Sequence, residues 1–211
     1  SIGEDQPGSP LVILGLSNGQ SLVFRHTYKV SYPDGKKTIS PEIEYPYGEA
    51  PMVRDEAGRP LEHVALNATD TTLVIAGSSG SHLNVLSVSR EENMMTGEVV
   101  SEQKRIDLPQ MTEPVKAIFV DPRQQWLYVI NGRALADVFS LRDNSLNGRY
   151  KLLEDGSAEI TASTQLVGGI SLIVGDSKGG LAQWFMARDP DGEQHLKQIR
   201  TFQRGSTPVG E

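Results

Sequence analysis

A short motif that recurs four times along the chain limits the possible folds more than any other feature of the sequence. Each copy consists of an apolar strand, a tight turn that contains glycine, and a second strand. The copies span residues 11–24, 73–86, 127–139 and 172–185. Glycine supplies the positive φ angles that hairpin turns require, and apolar residues at period two are typical of half-buried strands. The recurrence therefore predicts a chain built from repeated β-hairpins.

Further predicted strands surround each hairpin. One strand precedes the later hairpins, at residues 64–66, 115–120 and 160–166, and a fourth strand follows, as at residues 195–202 after the turn at 189–192. Four strands per unit, at a spacing of roughly 45 residues, are typical of a propeller blade. We find no convincing helix. The sequence therefore predicts an all-β, β-propeller-like (WD40-like) fold made of four-stranded antiparallel blades.

The predicted repeats cover residues 11–63, 64–109, 110–158 and 159–205 of a single domain, residues 1–211. We expect the first repeat to be the longest because it carries an extra hairpin, in which residues 23–32 and 36–45 flank a turn at Pro33–Gly35.

The end of the chain repeats an earlier transition. Residues 104–115 lead from the second repeat into the third, and residues 197–209 resemble the same transition into a further repeat. The sequence therefore predicts a partial propeller of about four blades. A closed four-bladed ring is the alternative.

Charge and composition exclude several classes of partner and site. The formal net charge is −7 and the sequence pI is near 5.2, so neither a nucleic-acid backbone nor an anionic lipid surface is an expected partner. No cysteine is present, which excludes disulfides and thiolate metal sites. No stretch reaches the ~20 apolar residues that a membrane-spanning helix needs. We expect a soluble chain, either naturally so or cut from a longer protein.

No residue pattern predicts a catalytic group, a cofactor or a metal. The histidines have no ligand-type partners at motif spacing: His26, His63, His82 and His195. Residues 143–148 and 189–193 resemble calcium loops, but neither supplies the bidentate glutamate of an EF-hand, and Asn-Gly and Asp-Gly are ordinary hairpin residues. Residues 175–180 are glycine-rich but join two strands, so no following helix is there to bind phosphate.

The aromatic residues form two groups. Those that follow the strand pattern are predicted to pack in the core or between blades: Trp126, Tyr128, Phe139, Trp184 and Phe185. The second group lies in and beside the extra hairpin: Tyr28, Tyr32, Tyr45 and Tyr47, with Pro33, Pro41, Pro46 and Pro51. A single blade does not need such an arm. The arm either covers an exposed propeller edge or forms a docking surface, for which the four tyrosines are the candidate residues.

Several short segments carry a resemblance to a known family: residues 28–35, 44–51, 123–128, 139–142, 168–177 and 183–185. Over residues 11–202 the chain resembles the large soluble insertion in long-form permease subunits of bacterial phosphate ABC transporters (the PstC type). The resemblance implies a module between the first transmembrane helix and the permease core, on the periplasmic side of the inner membrane. The partner of such a module is then the remainder of the permease complex, the periplasmic phosphate-binding protein or a regulator not yet identified. The family's transport residues lie in the membrane portion, so none maps onto this sequence.

Three functions are compatible with the sequence. The first is a non-catalytic accessory domain of a phosphate importer permease that docks a partner, since propellers are rigid platforms for binding. The second is a free-standing propeller enzyme, which would need a convergent acid, base or metal cluster. The third is a phosphate sensor, for which Arg133, Arg142 and Arg149 are the available cations in an otherwise acidic chain.

Overall fold

The computed structural model describes residues 2–3, 11–47, 53–69, 71–97, 99–166 and 168–202. The chain divides into two compact units, residues 1–79 with 84–106, and residues 80–83 with 107–211. The single domain expected for residues 1–211 stays a prediction.

Four sheets account for the strands of the described residues, and in each sheet the four strands follow one another in chain order. The first sheet contains β1 (Ile2–Gly3), β2 (Leu11–Gly15), β3 (Ser21–Ser31) and β4 (Thr38–Glu44). The second contains β5 (His63–Ala68), β6 (Thr72–Ser79), β7 (His82–Glu92) and β8 (Val99–Ile106). The third contains β9 (Val115–Val120), β10 (Trp126–Asn131), β11 (Leu135–Ser140) and β12 (Ser145–Lys151). The fourth contains β13 (Ile160–Gln165), β14 (Ser171–Asp176), β15 (Leu181–Arg188) and β16 (Gln194–Phe202).

This arrangement confirms the predicted all-β fold of four-stranded antiparallel repeats. Each recurring motif forms the central hairpin of its sheet: β2–β3, β6–β7, β10–β11 and β14–β15. The helical content of the described residues is one 3₁₀ turn, Pro33–Gly35, which is far shorter than a membrane crossing requires.

One prediction about the first repeat is wrong. The hairpin of residues 23–45 is not an addition to a complete blade, because it consists of β3 and β4, the third and fourth strands of the first sheet. The first strand of that sheet is β1, which lies before the predicted start of the repeat at residue 11. The predicted transition into a further repeat, at residues 197–209, extends beyond residue 202 and so lies partly outside the described residues.

Burial of the central strands explains the continuous apolar runs in the sequence. In the third sheet, Leu127–Asn131 of β10 and Ala136–Phe139 of β11 are buried, whereas β12 is exposed or half-buried along its whole length. A strand that is covered on both faces needs apolar side chains at successive positions rather than at alternate ones. The outer strand of the sheet, which faces solvent, can be polar.

Each unit has its own apolar core. The core of the first unit contains Leu11, Ile13, Val23, Tyr47, Val53, Leu61, Leu66, Ala68, Leu73, Ile75 and Val88. The core of the second unit contains Tyr128, Ile130, Ala136, Val138, Leu152, Leu153, Ala158, Leu172, Val174, Ala182, Trp184, Met186 and Leu196.

Residues 53–62, the described part of the segment just before the second sheet, pack closely within the first unit. Val53 is 2% exposed, and its carbonyl accepts the N–H of Ser21 at 3.1 Å. At the other end of the segment, a Cβ on Gly15 would lie 2.8 Å from the carbonyl oxygen of Leu61, so only glycine allows this approach. Val53 and Leu61 therefore belong to the same apolar core as Ile13 of β2.

Candidate docking surface

The β3–β4 hairpin, residues 25–44, projects beyond the rest of its sheet. Strand β2 pairs with β3 only from Ser21 to Arg25. From His26 to Ser31, β3 is paired with β4 alone among the described residues. Six residues of strand extend about 20 Å, so the hairpin is a two-stranded ribbon of that length.

The register of the ribbon sorts its side chains by polarity. The pairs His26–Ile43, Tyr28–Pro41 and Val30–Ile39 lie directly opposite each other, so these six side chains share one side of the ribbon. We call them the apolar face: His26, Tyr28, Val30, Ile39, Pro41 and Ile43. The other side carries Arg25, Thr27, Lys29, Ser31, Thr38, Ser40, Glu42 and Glu44. The ribbon is therefore amphipathic, as a strand pair that packs on one side would be.

The apolar face is uncovered. Tyr28 is 61% exposed, Ile43 58%, Ile39 55% and Val30 48%, and every other residue of the ribbon from His26 onward is exposed or half-buried. The imidazole of His26 packs edge-on against the ring of Tyr28, with 4.6 Å between ring centroids. Contiguous exposed apolar side chains on one side of a sheet typically mark an interaction site.

The charge of the hairpin differs from that of the chain. Residues 25–44 contain four Lys or Arg and three Asp or Glu, whereas the whole chain carries −7. Lys36 and Lys37 lie at the tip, and Glu42 and Glu44 lie toward the base. The tip is thus a cationic end on an acidic protein.

The structure separates the four predicted docking tyrosines. Tyr28 lies on the apolar face, Tyr32 is 65% exposed beside the tip, and Tyr45 is 40% exposed just after β4. Tyr47 is 7% exposed in the core of the first unit, and its hydroxyl donates to the carbonyl of Thr69 at 3.1 Å. Its ring is therefore packed in the core, while the assignment of the four tyrosines as docking residues stays a prediction.

Most of the apolar face was not among the predicted residues. His26, Val30, Ile39 and Ile43 were missed, although the alternation of apolar and polar residues in both strands was a signal that could have found them. Of the prolines, Pro41 lies on the face and Pro51 lies outside the described residues.

The three arginines considered for phosphate do not converge. Arg133 pairs with Glu113 at 2.9 Å, and Arg149 binds the buried carboxylate of Asp137 at 2.5 and 2.9 Å. Arg142 is exposed, with no ion pair among the described residues. Two of the three cations are therefore already neutralised by a carboxylate.

The two segments that resemble calcium loops form a hairpin turn and part of a strand. Asp189 begins the β15–β16 turn, where its N–H donates to the carbonyl of Glu193 at 2.8 Å and its carboxylate pairs with Lys197. In residues 143–148, the Asn147-Gly148 pair lies inside β12 rather than in a turn. Among the described residues, no group of three or more His, Cys, Asp or Glu side chains could hold a metal ion.

The four histidines belong to four different strands. His26, His63, His82 and His195 belong to β3, β5, β7 and β16 respectively. The ring of His195 lies 3.5 Å from the carboxylate of Asp189 and 3.4 Å from the hydroxyl of Tyr150.

Comparison with known proteins identifies the fold. No protein-family model matches the chain, and no curated protein matches it. Among solved structures, the β-propeller domain of Cps50 (Swd1) from Myceliophteria thermophila is similar, with a TM-score of 0.52 and 13% identity over 92% of this chain. The fold is a β-propeller fold. Hsv2 from Kluyveromyces lactis has a TM-score of 0.48 and 14% identity over 88% of this chain. The chain covers 54% and 56% of these two structures, so it spans about half of their length.

Proposed function

We propose that this chain is a non-catalytic docking domain, and that it serves the permease subunit of a bacterial phosphate ABC importer on the periplasmic side of the inner membrane. The observation that carries the docking role is the uncovered apolar face of the β3–β4 hairpin. The resemblance to the soluble insertion of the long-form permeases supports the importer. Docking fits the importer because the transport chemistry of that family lies elsewhere, in the membrane portion.

The physical case begins with the stability of the ribbon. A two-stranded ribbon in water is marginally stable on its own. Packing the apolar face on a partner removes apolar area from water at roughly 25 cal/mol per Å². An amphipathic ribbon with no cover therefore has a thermodynamic reason to bind, and the polar side carrying Lys29 and Glu42 would stay in water.

The partner covers the face rather than extending the sheet. Strand β4 is the edge of the first sheet, and an exposed edge is a possible template for another strand. Pro41 stands in the middle of β4 and has no N–H to donate, which weakens any added pairing there. For a partner, contact with the six side chains of the apolar face is therefore more favourable than pairing with the edge of β4.

The size of the face favours one of the expected partners. A standard protein interface uses roughly 20–30 residues from each side. Six side chains on the ribbon fall well short of that number, so the face by itself gives weak binding. A weak contact is sufficient when the partner is tethered, because linkage raises the effective concentration to about the millimolar range. The remainder of the permease is therefore favoured over the phosphate-binding protein, which arrives by diffusion.

The first test uses the intact importer in cells and two matched double variants of its permease. Tyr28→Ser with Ile43→Ser removes two side chains from the apolar face, and Lys29→Ser with Glu42→Ser makes the same replacements on the polar side. We expect the first pair to lower phosphate uptake several-fold and the second to leave it near the wild-type rate, at equal permease levels by immunoblot. Equal uptake in both variants and the wild type would show that the hairpin is not a docking surface.

A second test separates the alternatives. The purified chain is titrated by calorimetry with inorganic phosphate, and then with the cognate phosphate-binding protein. We expect no heat with phosphate; binding of phosphate would replace docking by sensing. Heat with the binding protein that disappears in the Tyr28→Ser, Ile43→Ser variant would make that protein, rather than the rest of the permease, the partner.

A further inference from the structure

The second unit contains a preformed cavity of about 240 Å³. It opens between the β9–β10 turn and the β13–β14 turn. It is lined by Asp121, Pro122, Arg123, Gln125, Trp126, Tyr128, Gly168, Gly169, Ile170, Phe185, Met186 and Gln194. The lining thus combines aromatic and thioether residues with polar ones.

A buried carboxylate holds the first turn in place. Asp121 is 6% exposed, and its oxygens accept the backbone N–H groups of Arg123, Gln125 and Trp126 at 3.2, 2.6 and 2.7 Å. Three hydrogen bonds to one charged group fix a turn more firmly than neutral ones do. The backbone of the β9–β10 turn, up to Trp126, is therefore held in place before any ligand arrives.

Close packing of glycine holds the second turn. A Cβ on Gly169 would lie 2.4 Å from Cγ of Pro122, and Gly169 has φ +62°. No other residue allows the β13–β14 turn to approach the β9–β10 turn so closely. The two turns thus form a rigid mouth.

The cavity is also lined by a hydroxyl that has no hydrogen-bond partner among the described residues. Tyr128 is 4% exposed, and no described residue forms a hydrogen bond with its hydroxyl. Burial, with a smaller effect from the charge of Asp121, raises the pKa of Tyr128, so the hydroxyl keeps its proton and can donate. A hydroxyl that lines a cavity and has no partner among the described residues can donate to an acceptor on a ligand.

We propose that this cavity binds a small neutral aromatic group that carries one hydrogen-bond acceptor. The ring would pack against Trp126 and Met186, which belong to one apolar cluster, and its oxygen would accept the hydrogen bond of Tyr128. A neutral ring fits the lining best, because the cavity is lined by both a carboxylate, Asp121, and a guanidinium, Arg123, so neither sign of charge is favoured there. Such a ring can come from a small molecule or from an aromatic side chain of a peptide segment.

The test uses nuclear magnetic resonance of the full chain, whose two tryptophans give two indole signals. Trp126 lines the cavity, whereas Trp184 is buried in the core and does not line it, so Trp184 is an internal control. The probes are 4-methylphenol and toluene, which differ by the hydroxyl. We expect both to shift the Trp126 signal alone, with 4-methylphenol binding about tenfold more tightly. No shift of Trp126 up to the solubility limit of 4-methylphenol would overturn the proposal.

One variant checks the hydrogen bond, and one further probe identifies the source of the ring. In Tyr128→Phe we expect the affinity ratio of the two probes to fall to about one, because the donor is gone. An unchanged ratio would refute the role of Tyr128. N-acetyl-tyrosinamide carries the same ring on a peptide backbone. If it binds at least as well as 4-methylphenol, the ligand is an aromatic side chain; if the backbone prevents binding, the ligand is a small ring compound.

Discussion

The ion pair between Asp137 and Arg149 offers the sharpest test of the packing in the second unit. Asp137 is 1% exposed in β11, and Arg149 reaches it from the opposite position on β12 with two hydrogen bonds. Arg149→Met removes the guanidinium and leaves a buried carboxylate without its cation. Breaking a fully buried pair costs about 3–5 kcal/mol. Since Arg149 is itself 43% exposed, water can partly replace it, and we expect a loss of about 2–3 kcal/mol.

The assay is urea unfolding at pH 7 followed by tryptophan fluorescence. Trp126 and Trp184 both belong to the second unit, so the signal reports the unit that holds the pair. With a slope of about 2 kcal/mol per molar urea, the midpoint should fall by about 1–1.5 M. Arg142→Met is the matched control, because Arg142 is exposed and has no ion pair among the described residues; we expect a change within about 0.5 kcal/mol.

A double variant tests the reasoning itself. Asp137→Leu with Arg149→Met removes both charges and replaces them with apolar side chains. Replacing a buried pair in this way is often nearly neutral, so we expect the double variant to lie within about 1 kcal/mol of the wild type. If the single Arg149→Met variant were as stable as the wild type, or the double variant were less stable than the single, the desolvated carboxylate could not be the cause.

Two further predictions concern acid stability and the mouth of the cavity. Hydrogen bonds from the Arg59 side chain hold the pKa of Asp55 at about 2, so this carboxylate stabilises the first unit above its unfolded pKa and loses that effect as the pH falls toward 2. In Asp55→Asn, the drop in stability between pH 5 and 2, measured by urea unfolding with circular dichroism, should be smaller by about 1–2 kcal/mol; an equal drop would contradict the assignment. Gly169→Ala should lower the free energy of unfolding by about 2–3 kcal/mol because the added Cβ meets Pro122. Gly168→Ala is the control: its φ is also positive but its Cβ would meet open space, so we expect a loss of about 1 kcal/mol. Equal shifts of the melting temperature in calorimetry would exclude the clash.

The sequence was sufficient for the architecture of the repeats. Period-two alternation and glycine turns are local properties, so they predict strands and hairpins without knowledge of the rest of the fold. In the first repeat, local patterns were not sufficient. They placed its start at Leu11 and therefore counted β3 and β4 as an addition, because the two residues of β1 are too few to show any periodicity.

Side-chain roles needed the tertiary structure. Tyr45 and Tyr47 stand two residues apart in similar surroundings of sequence, yet Tyr45 is 40% exposed and Tyr47 is 7% exposed. Likewise, nothing near Arg149 in the sequence reveals Asp137, since that pair depends on the register of β11 with β12. Burial and pairing are set by distant residues, which local patterns do not encode.

For the candidate docking surface too, the sequence determined one property and the tertiary structure another. The sequence determined that residues 26–30 and 39–43 alternate between apolar and polar, because alternation follows directly from the strand period. Alternation usually indicates that one side of a strand is buried. Only the tertiary structure decided that this side is uncovered, because β2 pairs with β3 no further than Arg25 and no described element packs over the ribbon beyond it.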